Sequence, residues 1–338
     1  MSSSAKLPGC REHLFLIISV LTLVSILTGC GGGGGSEVPR TPLQQIETAI
    51  ASEPNDDSLY HALSVLLSEA GRHGEAGEAL LRALSIDSTR RPEYHIALSQ
   101  AYLMQAESRK ALDAIDAALR LFPNHIPSLL EAARLRLILQ QHIPAMALLD
   151  KVFLRDPSQP DAWYLAGHLF LEMGDTARAV NAYQKAVDTR PDMRNAWKQL
   201  GDVLTALHIE RAISYYDNAL RLDSTEPELY HNKAYALNLF GNRAEAIELF
   251  RQLCSRFPSY EPGFYHLALL LAESDSTQAA VEHFGVAIRL NPSEAGSYLQ
   301  RAKALQKLGD RPGARSDLET ALRLDPGLEE ARVLLKSL

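Results

Sequence analysis

Few side chains in this sequence have the type and spacing to do chemistry. Cys254 is the one thiol inside a patterned segment, and it takes a slot otherwise filled by Leu84, Leu119, Phe153, Val187, Leu220, Ile288 and Leu322. Apolar residues at all those equivalent positions make it a small buried hydrophobe, and thiols in apolar surroundings are inert. His231 and His266 come from neighbouring segments, with His61 and His168 further off. A zinc site needs three or four converging ligands, and neither a cysteine nor a consistent carboxylate accompanies these histidines. HExxH, GxSxG, CxxC and the glycine patterns that cradle phosphates are all missing from the sequence, and with them the usual routes to hydrolysis or nucleotide binding. The expectation is a protein that is not an enzyme, with no metal, no cofactor and no small-molecule substrate.

Cys30 stands in a different context. It follows the apolar run LFLIISVLTLVSIL (residues 14–27), itself preceded by Lys6 and Arg11, and it precedes five glycines. A membrane-spanning helix needs about 20 apolar residues, so the run is short for a span and fits a secretory signal peptide, whether ordinary or lipid-linked. Residues 27–30, LTGC, resemble the lipobox of bacterial lipoprotein precursors at all four positions. The resemblance implies removal of residues 1–29 and acylation of Cys30, by palmitate or a similar chain, as the new N-terminus. Two or more acyl chains give stable residence on a bilayer. Residues 30–41 then form a glycine-rich tether with a reach of about 18 Å. By the enterobacterial sorting pattern, Gly31 after the cysteine implies the periplasmic face of an outer membrane.

Charge narrows the partners. The chain carries a formal net charge of −7; Lys6, Arg11 and Glu12 contribute +1 between them, so the remainder is at −8. A chain this acidic has no overall attraction for nucleic acid.

The elements that would position any binding surface come from a repeat of about 34 residues. Ala76, Ala111, Ala145, Ala179, Ala212, Ala246, Ala280 and Ala314 recur in phase. Four residues on lie Leu80, Ile115, Leu149, Tyr183, Tyr216, Phe250, Phe284 and Leu318; seven on lie Ala83, Ala118, Val152, Ala186, Ala219, Leu253, Ala287 and Ala321. Spacings of 0, 4 and 7 mark one face of a helix. Twelve residues after each alanine stands a proline or serine (Pro123, Pro157 and Pro191 among them), which stops the helix at a constant phase. Upstream, a second helix per unit carries a large residue in its first turn, as at Trp163, Trp197 and Tyr230, and a small one four positions later, as at Gly167, Gly201 and Ala234.

This pattern resembles the tetratricopeptide repeat, a helix–turn–helix unit shown most plainly by WKQLGDVL at Trp197 and AEAIELFRQL from Ala244. The resemblance implies an all-α, right-handed superhelical solenoid of antiparallel helix pairs over residues 42–338. It comprises a half-unit cap (42–56), eight repeats (57–328) beginning at Asp57, Pro92, Ile126, Pro160, Arg194, Pro227, Glu261 and Ala295, and a closing helix (329–338). One residue is gained near Arg90 and one is lost near His208, and Arg136, Lys233 and Arg301 take positions that the family fills with apolar side chains.

In that family the partner lies in the concave groove formed by the first helix of each unit. Its groove positions correspond here to Asp161, Tyr164, His168, Asn195, Lys198, Asp202, His231, Tyr235, Asn238 and Tyr265. Tyrosine and histidine offer contact area with a polar tip, as peptide-recognition surfaces do. The carboxylate clamp of chaperone-binding members is absent, because Asp202 follows Lys198 where asparagine is expected. The expected function is a scaffold anchored in the bacterial cell envelope that binds a protein or peptide, for assembly of an envelope or secretion complex. The alternative is an accessory that recruits or regulates a cell-wall or polysaccharide enzyme.

Overall fold

The computed structural model describes residues 41–89 and 91–338. The signal segment, Cys30, the glycine tether and the insertion at Arg90 lie outside the described residues. Every regular element within them is a helix. Helix α1 (Pro42–Ser52) belongs to a unit that ends at Pro54. Thr41 caps it: its hydroxyl accepts from Gln44 N and the Gln44 side chain accepts from Thr41 N, a reciprocal pairing that satisfies two orphan donors.

The second unit, Asn55–Leu338, holds eight helix pairs and a last helix. The pairs are α2 (Asp57–Glu69) with α3 (His73–Ile86), α4 (Pro92–Met104) with α5 (Ser108–Leu121), α6 (Ile126–Ile138) with α7 (His142–Phe153), and α8 (Pro160–Glu172) with α9 (Thr176–Thr189). They continue as α10 (Arg194–Ala206) with α11 (Ala212–Leu222), α12 (Pro227–Leu239) with α13 (Arg243–Arg256), α14 (Glu261–Glu273) with α15 (Thr277–Leu290), and α16 (Ala295–Lys307) with α17 (Arg311–Leu324). Helix α18 (Glu329–Ser337) packs on α17. All eight first helices begin at the residues that the repeat pattern marks.

Each helix packs on its partner and on the next helix in sequence. First helices of adjacent repeats also meet (α4 with α6, α6 with α8, α10 with α12, α14 with α16), and the second helices have no comparable approach. The first helices therefore form the closer-spaced layer, which is the inner face of a curved stack.

Burial follows the spacing. The eight phase alanines and the eight residues seven positions on are all 0% exposed. The residues between them, Leu80 to Leu318, are equally enclosed. Glycine enters the small-residue column only where its partner is tyrosine. A Cβ on Gly167 would stand 2.4 Å from the Tyr183 ring, and one on Gly201 would stand 2.6 Å from the Tyr216 ring. The large first-turn residues are tied to the preceding unit's stop signal. Trp163 Nε1 donates to Pro157 O, and Trp197 Nε1 to Pro191 O, both at 2.8 Å.

The turn inside each pair passes through one left-handed residue. Glycine fills it at Gly71, Gly174, Gly241 and Gly309, but Ala106, Gln140, His208 and Asp275 adopt the same positive φ. The residue lost in the fifth repeat comes out just after His208. Ala212, Ile213 and Ser214 donate to carbonyls three residues back, a tight 3₁₀ turn that starts α11 late yet returns Ala212 to the core in phase.

The three misplaced cations are each paired with an aspartate on an adjacent helix. Arg136 meets Asp116, Lys233 meets Asp217 and Arg301 meets Asp317, all at 2.7 Å. Their stems fill the apolar positions while their heads are neutralised.

Candidate partner-binding groove

The first-helix layer from α8 to α14 brings most of the expected groove residues into three neighbouring groups. In the fourth repeat, Tyr164 and His168 stand edge to face at 4.6 Å, both against the fully buried Tyr183 ring of α9. Burial pushes the Tyr164 phenol up to about 12 and holds the His168 imidazole below its ordinary value, so both are neutral near pH 7. The Tyr183 hydroxyl is buried with no hydrogen-bond partner.

In the fifth and sixth repeats, Lys198 lies 3.2 Å from Glu228 and 4.0 Å from Asp202. Asp202 Oδ1 accepts from Tyr216 Oη at 2.8 Å and from Asn232 Nδ2 at 2.9 Å. Burial raises the Asp202 carboxyl above its ordinary range, partly offset by the Tyr216 hydrogen bond and Lys198. Beside it opens a pocket of about 370 Å³ lined by Asp202, Thr205, Ala206, His208, Tyr216, Asn232, Tyr235 and Leu239.

The third group joins the sixth and seventh repeats. The His231 and His266 rings are 4.8 Å apart, and Tyr235 and Tyr265 meet His266 edge-on. Burial, and then the neighbouring His231, lower His266 to about 4. Among the described residues no group of three or more histidine, cysteine, aspartate or glutamate side chains could hold a metal ion.

Other expected residues are engaged locally. Asp161 is gripped by Arg190, with oxygen–nitrogen distances of 2.5 and 3.2 Å. Asn195 accepts from its neighbour Arg194. Asn238 is half-buried one turn beyond Tyr235 on α12, and Cys30 is not among the described residues. Cys254 is buried and free, its thiol pushed up to about 12 by burial. The groove positions alone do not show Tyr183, Tyr216, Asn232 and His266. The two tyrosines were detectable, because they occur where the small-residue column holds glycine.

Models of the tetratricopeptide repeat match residues 57–90, 160–203, 204–261 and 295–328, together about half of the chain. The chain belongs to the tetratricopeptide-repeat family. Human tetratricopeptide repeat protein 16 is 29% identical over 216 residues, covering 57% of this chain and 24% of its own length. The TPR repeat-containing protein YpiA of Bacillus subtilis is 22% identical over 310 residues, covering 80% of this chain and 73% of that protein. The chain spans about a quarter of the length of its human, macaque and mouse relatives. A solved tetratricopeptide repeat protein from Parabacteroides merdae has the same fold, with a TM-score of 0.51 at 18% identity over 72% of this chain and 97% of its own. TPR proteins generally mediate protein–protein interactions.

Proposed function

We propose that this TPR protein is a lipid-anchored scaffold of a bacterial cell envelope that holds a protein or peptide segment in the groove of α8–α14. The observation that supports the groove is its lining. Aromatic and imidazole rings pack into one surface there, yet Tyr235 stays 47% exposed beside an open pocket. Solenoids generally bind through such inner faces. The anchor rests on the LTGC sequence, with residues 1–29 removed, Cys30 acylated on the periplasmic side of an outer membrane, and residues 30–41 as tether to the solenoid of 42–338. The groove would serve the assembly of an envelope or secretion complex.

Site-specific photocrosslinking tests the groove. A photoreactive phenylalanine analogue at Tyr235 should trap a discrete partner in cells, and the same group at the exposed Gln252 of a second helix should not. Equal trapping from both positions would move the site off the groove. For the anchor, metabolic labelling with a clickable palmitate should mark the chain and fail with Cys30→Ala; label retained by that variant would dismiss the lipoprotein reading.

A further inference from the structure

The pocket beside Asp202 has the chemistry of a receptor for one particular side chain. Both hydrogen bonds to the carboxylate fall on Oδ1. Among the described residues Oδ2 has only the Lys198 ammonium, at 4.0 Å, the limit of an ion pair. That lysine sits closer to Glu228, so it does not neutralise Asp202 fully. The Asp202 side chain is 32% exposed, and its open surface faces the pocket. Thr205, on the pocket wall and largely buried, spends its hydroxyl proton on Gly201 O and lies 3.3 Å from Tyr216 Oη, which leaves it one free acceptor lone pair. The remaining walls are mixed: Ala206, the half-exposed Tyr235 and Leu239 supply apolar and aromatic surface, and His208 and Asn232 complete the lining.

Further along the stack the sign is the same. Glu261 and Glu294 have no cation partner among the described residues, and the Tyr260 phenol is pushed up to about 12, chiefly by burial and then by Glu228, Glu261 and Glu226. One repeat away, the buried Tyr183 hydroxyl is unpartnered and lies near enough to Asp202 to feel its charge. Nearer the pocket, Glu226 and Glu228 are paired with Arg194 and Lys198, so the open carboxylate that the slot offers is Asp202 itself.

We infer that the Asp202 pocket takes a lysine side chain from an extended segment of the partner, its stem along Tyr235 and Leu239 and its ammonium on Asp202 Oδ2 and Thr205 Oγ1. A single open carboxylate oxygen favours a compact ammonium over a guanidinium, whose fork matches two oxygens. The segment would run along the first-helix layer. This inference rests on the groove reading and adds the identity of the bound side chain.

The test uses the full-length chain and two fluorescent twelve-residue peptides of glycine, serine and leucine. One has a single central lysine and the other its ε-acetylated twin, which keeps the stem and loses the charge. The lysine peptide should bind about tenfold or more tightly than the acetylated one. Asp202→Asn, which retains the acceptor for Tyr216, should erase that difference. Leu239→Lys supplies a cation from the wall and should do the same without touching the carboxylate, which covers the case in which Asp202→Asn does not fold. Equal binding of both peptides, lost with Tyr235→Ala, would overturn the lysine assignment and leave the groove standing. No binding of either peptide at about 1 mM would overturn the assignment, while crosslinking at Tyr235 would still report on the groove.

Discussion

Gly167→Ala should loosen the fourth repeat, and a second substitution should repair it. The added methyl carbon would lie 2.4, 2.5 and 2.7 Å from three ring atoms of Tyr183, where carbon–carbon contacts sit at about 3.5–4.0 Å. The ring would have to withdraw by about 1 Å, yet it is fully buried behind Tyr164 and His168. Overpacking at this level costs about 2–3 kcal/mol, and replacing a mid-helix glycine by alanine returns about 1 kcal/mol. The net loss is therefore about 1–2 kcal/mol. Leu80, Leu149 and Leu318 hold the Tyr183 position in other repeats, where they face Ser64, Ala133 and Ala302. Tyr183→Leu alone opens a void, and Gly167→Ala fills it, so the double variant should be at least about 1 kcal/mol more stable than the two losses added. Urea unfolding followed by tryptophan fluorescence reads this locally, because the only tryptophans, Trp163 and Trp197, sit on α8 and α10. An unchanged midpoint for Gly167→Ala, or strict additivity in the double variant, would refute the close-approach argument.

Gln140→Gly should stabilise the third repeat by about 0.5–1 kcal/mol, since an L-residue at positive φ is strained and Gln140 is exposed. Gly174→Ala should cost about 1 kcal/mol by the same logic, as its methyl would meet nothing within 4 Å and only the backbone resists; thermal melting of both variants checks the pair. Cys254, with its thiol near 12, should resist iodoacetamide at pH 8 until urea is added, and rapid labelling of its native peptide would contradict its burial. Because His266 titrates near 4 when folded and near 6.5 when unfolded, the unfolded chain takes up the proton first. Stability should be complete above about pH 6.5, decline as pH falls toward about 4, and decline less steeply in His266→Leu; an unaltered slope in that variant would assign the effect to other groups.

The helix pattern was legible because each of its signals is local. Alanine, a large apolar or aromatic residue and a mostly small residue at 0, 4 and 7, with a proline or serine five later, fix phase within one unit, and all eight first-helix starts agree with it. What escaped the sequence depends on partners many residues away. Asp161 looks like a free groove acid, but Arg190 closes on it from 29 residues downstream. Tyr164 looks like an accessible ring at a groove position, yet it packs against Tyr183, so Tyr164→Ala would cost stability as well as contact. Tyr235 is the cleaner probe. Four of the eight left-handed turn residues are not glycine, so composition gave no sign of them. The deletion near His208 could be counted but not placed, because only the hydrogen bonds show the three residues of tighter helix that absorb it.

Two of the three aspartate pairs bear on how such a chain can change over generations. Arg136 and Asp116 belong to the third and second repeats, Lys233 and Asp217 to the sixth and fifth. A repeat array grows or shrinks when whole units are duplicated or lost, and identical units tolerate that freely. Here, excising the second or the fifth unit would set a mostly enclosed cation against a neighbour with no aspartate at its height. Those junctions give the array a fixed order, so insertions and losses of whole repeats should be better tolerated elsewhere, and chimeras spliced between units should fail first at these two seams.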